Sequence, residues 1–183
     1  ALDERIASSI VEKTVTAKRG TIYDRNHTVI AQQTQAYTVV AYLDKGVVDV
    51  NGNPNYVKNI SSTAKKLKSV LGDEVNEKAL VKIMKSAKKA GKSQTELGSG
   101  TKRIKKSLMK EIKKLKIPGI GFIDAVSRYY PATPYSSNLI GFAAYDEDKQ
   151  SIEGKLGLEL SLNALLKGKN GKEQYQQTVD GSK

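Results

Sequence analysis

The spacing of apolar residues changes twice along this 183-residue chain. From residue 15 to residue 45 the apolar positions fall in short runs rich in β-branched and aromatic residues, such as Tyr-Thr-Val-Val-Ala-Tyr at 37–42, and runs of this kind predict β-strands. From 46 to 117 apolar residues recur every three or four positions, which predicts helices with one buried face. Short apolar runs return after Pro118. The pattern therefore predicts a strand set, a helical segment and a second strand set.

Three helices are predicted within the helical segment. The apolar face of the first is formed by Ile60, Ala64, Leu67 and Leu71. The second begins after Asn76, whose side chain suits an N-cap, and ends at Gly91. The third is predicted to begin at Ser107 and to end before Pro118, which cannot continue a helix. Residues 101–106, between the last two helices, are predicted as a short strand.

Three segments outside the helical region also have a readable pattern. Residues 1–14 carry apolar groups at helical spacing with charges between them, which predicts a short amphipathic helix. Residues 139–145 form an apolar run and are predicted as a strand. Gly154 and Gly157 precede a predicted helix that ends at Gly168.

These elements predict an α+β fold, in which a discontinuous, strand-rich body is interrupted by a mostly helical lobe. The body is predicted to comprise residues 15–45 and 118–183, and the inserted lobe residues 46–117. Residues 1–14 stand apart from both. The chain opens without methionine and ends without a helix cap or terminal element, so it is interpreted as a fragment of a longer protein.

The positive charge of the chain is concentrated in the lobe. Residues 56–116 hold 18 basic and five acidic residues, a net charge of +13, whereas the rest of the chain sums to −1. Lysine outnumbers arginine 26 to 5, and arginine is the residue that recognition of bases and phosphates favours. Solvated lysine faces on helices explain this pattern better than nucleic-acid binding does. An anionic lipid or anionic wall polymer remains an alternative partner.

Sequence motifs for catalysis are incomplete. The pattern Ser-x-x-Lys, which can pair a serine nucleophile with an activating lysine, occurs in the lysine-rich lobe. Its four copies start at Ser62, Ser86, Ser99 and Ser107. The Lys-[Ser/Thr]-Gly element that accompanies it in serine transpeptidases is absent. With one histidine, His27, and no cysteine, we predict no catalytic, metal-binding or cofactor-binding residues.

The stretch 19–31, Arg-Gly-Thr-Ile-Tyr-Asp-Arg-Asn-His-Thr-Val-Ile-Ala, combines a predicted hairpin with a recognisable motif. Asp and Asn side chains favour a tight turn between its two short strands. The stretch resembles the R-G-x-I-x-D-R-N-G-x-x-[IL]-A signature that opens the extracytoplasmic part of class B penicillin-binding proteins. His27 stands where that family usually has glycine. A positive φ at this position would carry a steric cost that glycine avoids.

Three later stretches continue the resemblance in the order of the family. Residues 128–131, Arg-Tyr-Tyr-Pro, are similar to its R-x-Y-P motif, and residues 138–142 to a strand ending in I-G-F. Residues 154–171 are similar to its G-x-x-G-[LIM]-E-x-x-x-[ND]-x-x-L-x-G-x-x-G motif. The motifs together span residues 19–171. The resemblance is to the N-terminal dimerisation or pedestal domain, and it is nearest to the division-type branch.

The resemblance also selects the candidate site residues, which are structural or interaction residues rather than catalytic ones. They are Arg19, Gly20, Asp24, Arg25, Asn26, Arg128, Tyr130, Pro131, Gly157 and Glu159. Among these, the charged residues of the motifs are predicted to form ion pairs that tie the two sequence-distant parts of the body together. The charged residues concerned are Arg19, Arg25, Arg128 and Glu159.

The resemblance implies a function for the whole protein and a different one for this chain. The whole protein is expected to be a membrane-anchored D,D-transpeptidase that cross-links peptidoglycan, held at the extracytoplasmic face of the bacterial membrane by an N-terminal anchor. Residues 1–14 would then be a juxtamembrane helix. This chain is expected to be a non-enzymatic scaffold and interaction module.

The expected partners of that module are its own transpeptidase domain, a glycan polymerase of the SEDS family, other membrane proteins of the division or elongation machinery, and a second copy of itself. No nucleic acid is expected. The alternative hypothesis, from charge alone, is a basic surface domain that binds anionic wall polymer, lipid or nucleic acid.

Overall fold

A computed structural model of the chain describes residues 9–131 and 137–177. The strands are β1 Ser9–Val15, β2 Ile22–Tyr23, β3 Val29–Tyr42, β4 Gln94–Glu96, β5 Ile120–Tyr129, β6 Ala143–Asp146, β7 Ser151–Gly154 and β8 Gly171–Gln177. The α-helices are α1 Ile60–Leu71, α2 Glu77–Lys89, α3 Lys106–Lys114, α4 Ser137–Ile140, α5 Gly157–Ser161 and α6 Asn163–Lys167. The fold is α+β, as predicted.

The described residues divide into two compact units. Unit 1 comprises the described residues up to 33 and those from 128 onward, and unit 2 comprises residues 34–127. The chain passes between the units inside β3 and again inside β5, so unit 2 is an insertion into unit 1 along the sequence. No helix among the described residues is long and apolar enough to cross a membrane.

Unit 1 is held together by strand pairs that join distant parts of the sequence. Strands β1 and β8 pair antiparallel from Ser9↔Gln177 to Val15↔Gly171. Strand β2 pairs antiparallel with the start of β3, and β6 pairs antiparallel with β7. Helices α5 and α6 pack against β7. The two ends of the described chain therefore meet in one unit.

Unit 2 buries its helices against the second half of β3. The residues 40–42 of β3 pair antiparallel with β4, and β3 also pairs with β5. The apolar faces of α1 and α2 meet Val39 and Ala41 in one buried cluster, to which Leu67 and Met84 contribute fully buried side chains. Burying a leucine or methionine of this size stabilises a fold by about 1.5–3 kcal/mol.

The predicted capping of the second helix is confirmed. Asn76 has extended backbone and its side-chain oxygen accepts a hydrogen bond from the Ala79 amide at 3.1 Å. Asn59 caps α1 in the same way, through the Ser62 amide at 2.9 Å. Gly91, predicted as the end of this helix, lies just beyond it with a φ of 70°. Local sequence is sufficient here because a cap uses contacts within one turn.

The prediction of a helix at 1–14 is wrong for residues 9–14, which belong to β1. Residues 1–8 lie outside the described residues. Strand β1 is rich in β-branched residues, which favour strands, and its backbone partners are supplied by β8, more than 150 residues away. A local pattern of apolar spacing contains no information about that partner.

Four other element predictions are corrected by the structure. At 101–106 only Ile104 forms a bridge, to Tyr37, and α3 begins one residue before the predicted cap Ser107. The predicted strand at 139–145 is divided into the end of α4 and the start of β6, because Gly141 between them has a φ of 67°. The predicted helix after Gly157 is divided into α5 and α6.

The compact units also divide at different residues from the predicted body and lobe. The predicted boundaries were 45/46 and 117/118, and the units divide at 33/34 and 127/128. The reason is the core of unit 2, because α1 and α2 pack on Val39 and Ala41. Residues that share a core fold as one unit, even where the strand that contains them begins in the other.

Candidate functional site

The charged motif residues of unit 1 form a buried cluster around one carboxylate. Glu159, on α5, is fully buried. Its Oε2 accepts hydrogen bonds from Nε and Nη2 of Arg19 at 2.9 and 2.7 Å, and its Oε1 accepts one from Nε of Arg128 at 2.7 Å. One carboxylate therefore binds two buried guanidinium groups, from residues 140 and 31 positions away along the chain.

Arg19 uses all five of its guanidinium N–H groups. Besides the bonds to the carboxylate, Nη2 donates to the backbone carbonyl of Glu159 at 2.9 Å, and Nη1 donates to the carbonyl of Ile152 at 3.1 Å and to Oδ1 of Asn163 at 2.7 Å. The side chain is 2% exposed. Because every N–H donor of the guanidinium group is hydrogen-bonded, the energetic cost of burying this charge is largely offset.

Arg128 connects the cluster to the start of the first motif. Its Nη1 donates to the carbonyl of Gly20 at 2.8 Å, and the Gly20 amide donates to the carbonyl of Leu166 at 2.7 Å. The Arg128 side chain is 1% exposed. The motif residues near 20, 128 and 159 are thus in direct contact within unit 1.

Tyr130 closes one side of the cluster. Its hydroxyl donates to Oε1 of Glu159 at 3.1 Å and accepts from the Ala143 amide at 2.6 Å. Burial raises the pKa of the Tyr130 phenol above its ordinary value of 10.0, and the negative charge of Glu159 acts in the same direction. The phenol therefore stays protonated and serves as a hydrogen-bond donor. Pro131, the next motif residue, is half-buried.

A second carboxylate lies one residue beyond Ile152. Glu153 is 3% exposed. It accepts hydrogen bonds from Ser151 Oγ and Asn163 Nδ2, each at 2.7 Å, and pairs with Lys167 Nζ at 2.9 Å. The hydrogen bond from Ser151, followed by those from Asn163 and Lys167, lowers the pKa of Glu153 from 4.5 to about 2. Asn163 bonds both Glu153 and Arg19, so the two buried carboxylates belong to one network.

The low pKa of Glu153 predicts acid sensitivity. A carboxyl whose pKa is depressed by folding contributes stability above its unfolded pKa, near 4.5, and that contribution is lost as the pH falls toward about 2. We expect the urea midpoint of the Glu153→Gln variant to depend less on pH between 5 and 2 than that of the wild type.

The exposed Glu173 of β8 provides the control for this measurement. The Glu173→Gln variant is expected to retain the wild-type pH dependence. Parallel curves for Glu153→Gln and the wild type would show that Glu153 does not titrate in this way.

Two glycines allow the chain to approach the cluster closely. A Cβ at Gly154 would lie 2.0 Å from the backbone oxygen of Glu159. Gly157 has a φ of 63°, and a Cβ there would lie 2.6 Å from both the Gly141 amide nitrogen and the Leu139 carbonyl oxygen. Glycine is required at such contacts because any side chain would displace backbone. The glycine pair therefore positions the start of α5, and with it Glu159.

The predicted turn between β2 and β3 is confirmed. Asp24 Oδ1 accepts hydrogen bonds from the amides of Asn26 and Thr28, both at 2.8 Å. The bond from Thr28 is the main cause that lowers the pKa of Asp24. His27 has a φ of 61°, the conformation for which glycine would be the less strained residue.

Arg25 is not part of the buried cluster, contrary to prediction. Its side chain is exposed in the turn after Asp24, and no ion pair of Arg25 is found in the part of the chain that the structure describes. The turn directs residue 25 to solvent, since residues 24–28 are closed by their own backbone and Asp24 bonds.

Comparison with known protein families identifies the family to which this chain belongs. Residues 14–183 match the family described as "Penicillin-binding Protein dimerisation domain". The chain belongs to this family. The buried cluster of this dimerisation domain is therefore formed by residues of the family-like motifs.

Two relatives match the dimerisation domain over different lengths. It is 30% identical over 166 residues to stage V sporulation protein D of Bacillus subtilis, a match covering 91% of this chain and 22% of the relative. It is 40% identical over 72 residues to the peptidoglycan D,D-transpeptidase FtsI of Buchnera aphidicola, covering 39% of this chain and 12% of the relative. The chain thus spans less than a quarter of either relative.

Two solved structures share the fold. Penicillin-binding protein 2X from Streptococcus thermophilus matches with a TM-score of 0.57 and 30% identity, covering 94% of this chain and 26% of that one. A complex of penicillin-binding protein PBP2 with MreC from Helicobacter pylori matches with a TM-score of 0.56 and 18% identity, covering 95% of this chain and 33% of that one. At 18% identity the second match shows the fold alone.

Sequence reasoning missed two members of the network. Asn163 stands at the [ND] position of the last motif, so the motif marked it without giving it a role. Glu153 carries no comparable signal, because it is a single acidic residue in a four-residue strand. Its burial depends on α6, which brings Lys167 and Asn163 to it.

The network is built for structure and not for acid–base chemistry. Both oxygens of Glu159 already accept hydrogen bonds from guanidinium groups, and the side chain has no contact with solvent. A general base needs an oxygen within reach of a substrate proton. Within residues 9–131 and 137–177 there is also no group of three or more acidic or histidine residues able to hold a metal ion.

Proposed function

We propose that this dimerisation domain is the non-catalytic scaffold and interaction module of a membrane-anchored D,D-transpeptidase that cross-links peptidoglycan. In this proposal an anchor and a catalytic domain lie in parts of the polypeptide outside this chain, and the domain works at the extracytoplasmic face of the bacterial membrane. The lengths and names of the relatives support it, since one is a peptidoglycan D,D-transpeptidase of which this chain matches 12%.

The proposal rests on one observation: both carboxylate oxygens of the buried Glu159 already accept hydrogen bonds from arginine side chains. In unit 1 the buried motif charges bind one another: Arg19 donates all its guanidinium N–H groups internally, and the carboxylate of Glu159 has no exposed surface. Groups in this state stabilise a shape and cannot act on a substrate. The motif residues would then serve to hold distant parts of the sequence in one rigid unit, from which other proteins can be positioned.

A rigid unit of this kind suits docking of protein partners. The solved complex of penicillin-binding protein PBP2 with MreC shows that a protein containing this fold can assemble with another protein. By analogy, the partners proposed for this domain are its own transpeptidase domain, a SEDS-type glycan polymerase and further membrane proteins of division or elongation. Self-association is proposed on the family's description alone.

Labelling with a fluorescent penicillin tests whether the catalytic site lies outside this chain, in the rest of the protein. We expect the longer protein encoded by the parent gene to be labelled covalently and this chain, under the same conditions, to remain unlabelled. A denatured sample of the longer protein is the control for non-specific attachment, because acylation requires a folded active site.

Two outcomes would contradict the proposal. Covalent labelling of this chain alone would show that it is itself catalytic. Failure of the folded longer protein to react with penicillin would show that the chain does not belong to a D,D-transpeptidase.

A further inference from the structure

Unit 2 contains a cavity of about 360 Å³ at the C-terminal end of α3, which we term the α3 cavity. Its apolar walls are formed by side chains from the end of α3 and from the start of β5: Ile112, Ile117, Ile120 and Phe122. Ligand cavities in proteins commonly have volumes of about 300–1,000 Å³. The α3 cavity therefore has room for a small group, such as one large side chain of a partner.

The backbone around the α3 cavity is fixed by hydrogen bonds. The Tyr42 amide donates to the carbonyl of Gly119 at 2.7 Å, and the Gly119 amide donates to Oδ1 of Asn55 at 2.8 Å. The ring of Tyr42 lies against Gly121, where a Cβ would be 2.6 Å from the Tyr42 hydroxyl oxygen. Residue 121 leaves room for this ring because it has no side chain. A fixed backbone preorganises the cavity, which lowers the entropic cost of binding.

Two exposed lysines lie where the α3 cavity meets solvent. Lys113 and Lys116 both line it, and Nζ of Lys113 lies 5.7 Å from the centre of the Phe122 ring. Within residues 9–131 and 137–177 neither lysine forms an ion pair, and no acidic residue of this part of the chain lines the cavity. The surrounding segment 56–116 has a net charge of +13. Two cations without a counter-ion in such a field favour an anionic ligand.

The dipole of α3 explains one of these lysines and not the other. Cations in the last turn of a helix stabilise its negative C-terminal end, which accounts for Lys113. Lys116 lies beyond the helix, two residues after its last residue Lys114, and has a φ of 46°. Glycine is the usual residue there, because a side chain is strained in the left-handed conformation. A lysine held in a strained conformation beside a cavity indicates a role for its side chain.

The end of α3 also determines where an anion can bind. The carbonyl groups at the C-terminal end of a helix carry partial negative charge and repel an anion from the interior of the cavity. An anion is therefore held at the rim, by the ammonium groups of Lys113 and Lys116. The interior accepts an apolar group, between Ile117 and Phe122. Asn55, whose oxygen already accepts a hydrogen bond, offers its NH₂ group, which donates to a carbonyl or carboxylate oxygen.

An acidic peptide segment fits this arrangement better than a phosphate group does. Phosphate recognition favours the bidentate contacts of arginine, and no arginine among the described residues lines the α3 cavity. Phosphates also bind at the N-terminal ends of helices, whereas this cavity lies at a C-terminal end. A peptide supplies both required parts, an apolar side chain for the interior and carboxylates on the adjacent residues for the rim.

We propose that the α3 cavity is a docking site for an acidic segment of a partner protein. The segment inserts one large apolar side chain into the cavity and places its flanking carboxylates against Lys113 and Lys116. The inference rests on the proposed role of this chain as an interaction module, but it requires neither a catalytic domain nor an anchor. It is therefore testable on this chain alone.

Peptide titration followed by NMR of the isotope-labelled chain tests this inference. The ligands are acetylated pentapeptides, Asp-Glu-X-Glu-Asp, in which X is Leu, Ile, Phe or Tyr, each added separately to about 5 mM. We expect at least one of them to shift the amide resonances of Gly121 and Phe122 saturably. The same peptide with serine at X is expected to bind at least about tenfold more weakly, because burial of a large apolar side chain contributes a factor of this size.

The Lys116→Gly variant separates binding from stability. It removes a cation and places glycine in the left-handed conformation, so its melting temperature is expected to equal or exceed that of the wild type while the dissociation constant rises about two- to fivefold. Lys113→Gln is expected to weaken binding similarly, and both substitutions together about tenfold. The matched control is Lys85→Gln, which replaces an exposed lysine of α2 outside the cavity. It is expected to change the dissociation constant less than about twofold.

The remaining outcomes overturn the inference in distinguishable ways. Without a saturable shift from any of the peptides, the α3 cavity is not a docking site for an acidic segment. Equal effects of Lys85→Gln and Lys116→Gly would show diffuse attraction to the lysine-rich helices, and equal affinity of the serine peptide would show that the cavity receives no apolar group. Shifts caused only by phosphatidylglycerol vesicles would identify a membrane surface. If the longer protein reacts with penicillin while this chain binds no peptide, the proposed transpeptidase parent stands and only the docking site is wrong.

Discussion

Replacing Glu159 with glutamine is expected to lower the free energy of unfolding of unit 1 by about 3–5 kcal/mol, the cost of leaving buried charges without their partner. The Glu159 carboxylate accepts hydrogen bonds from Arg19 on one oxygen and from Arg128 on the other. A glutamine side chain has the same shape but replaces one acceptor with an NH₂ donor. Two buried guanidinium groups would then remain with no anion between them. Urea unfolding followed by circular dichroism measures the loss.

The matched control is Glu12→Gln in the same unit. Glu12 also pairs with a cation, Lys172 at 3.5 Å, but both side chains are at least half exposed. Exposed pairs contribute about 0–1 kcal/mol, so this substitution is expected to change the urea midpoint little. Equal effects of the two substitutions would mean that burial of the Glu159 cluster does not determine its contribution.

Replacing Gly157 with alanine is expected to destabilise unit 1 by about 2–5 kcal/mol. Two causes add: the residue has a φ of 63°, and its Cβ would lie 2.6 Å from backbone atoms of Gly141 and Leu139. Backbone on both sides cannot move aside as the end of a flexible side chain can. The start of α5 would shift, and Glu159 would lose its fit to the two arginines. Thermal unfolding of the purified variant measures the effect.

Gly52→Ala separates the two causes. Gly52 has a φ of 81°, but a Cβ there would meet no atom within 4 Å. Its substitution therefore carries the conformational strain without the steric contact, and a loss of about 1–2 kcal/mol is expected. If both variants lose the same stability, the close backbone approach at Gly157 is not important.

The two expected effects have one structural cause. Gly154 and Gly157 allow α5 to approach the neighbouring backbone, and this approach places Glu159 between Arg19 and Arg128. If the variants behave as expected, the glycines and the charged residues of the motifs act together to stabilise the folded form of unit 1.

Much of the local structure could be predicted from the sequence. The apolar spacing identified α1 and α2, Asn76 identified a cap, and the Asp-Asn cluster identified the turn before β3. Each of these depends on contacts within a few residues. Predictions that needed a distant partner were wrong: Ser9–Val15 became a strand because β8 pairs with it, and the units divided inside β3 and β5 because of the core of unit 2.

The candidate site shows the same division. The motifs marked Arg19, Arg128 and Glu159, which the structure brings into contact, but they also marked Arg25, which lies exposed in the turn. Nothing in the sequence indicated Glu153, whose burial requires Lys167 and Asn163 from a following helix. A motif shows which residues occur together in the sequence. It does not show which of their side chains are in contact in the folded protein.

The amino-acid sequence by itself determined the α+β class, the helices of unit 2, the hairpin turn and the family to which the chain belongs. Only the tertiary structure decided which charges are buried together, where the units divide and which apolar residues remain uncovered. The physical reason is the distance along the sequence between the residues that make each contact. Helix periodicity, caps and turns are set by neighbours along the chain, whereas burial of a carboxylate between two arginines depends on residues up to 140 positions apart.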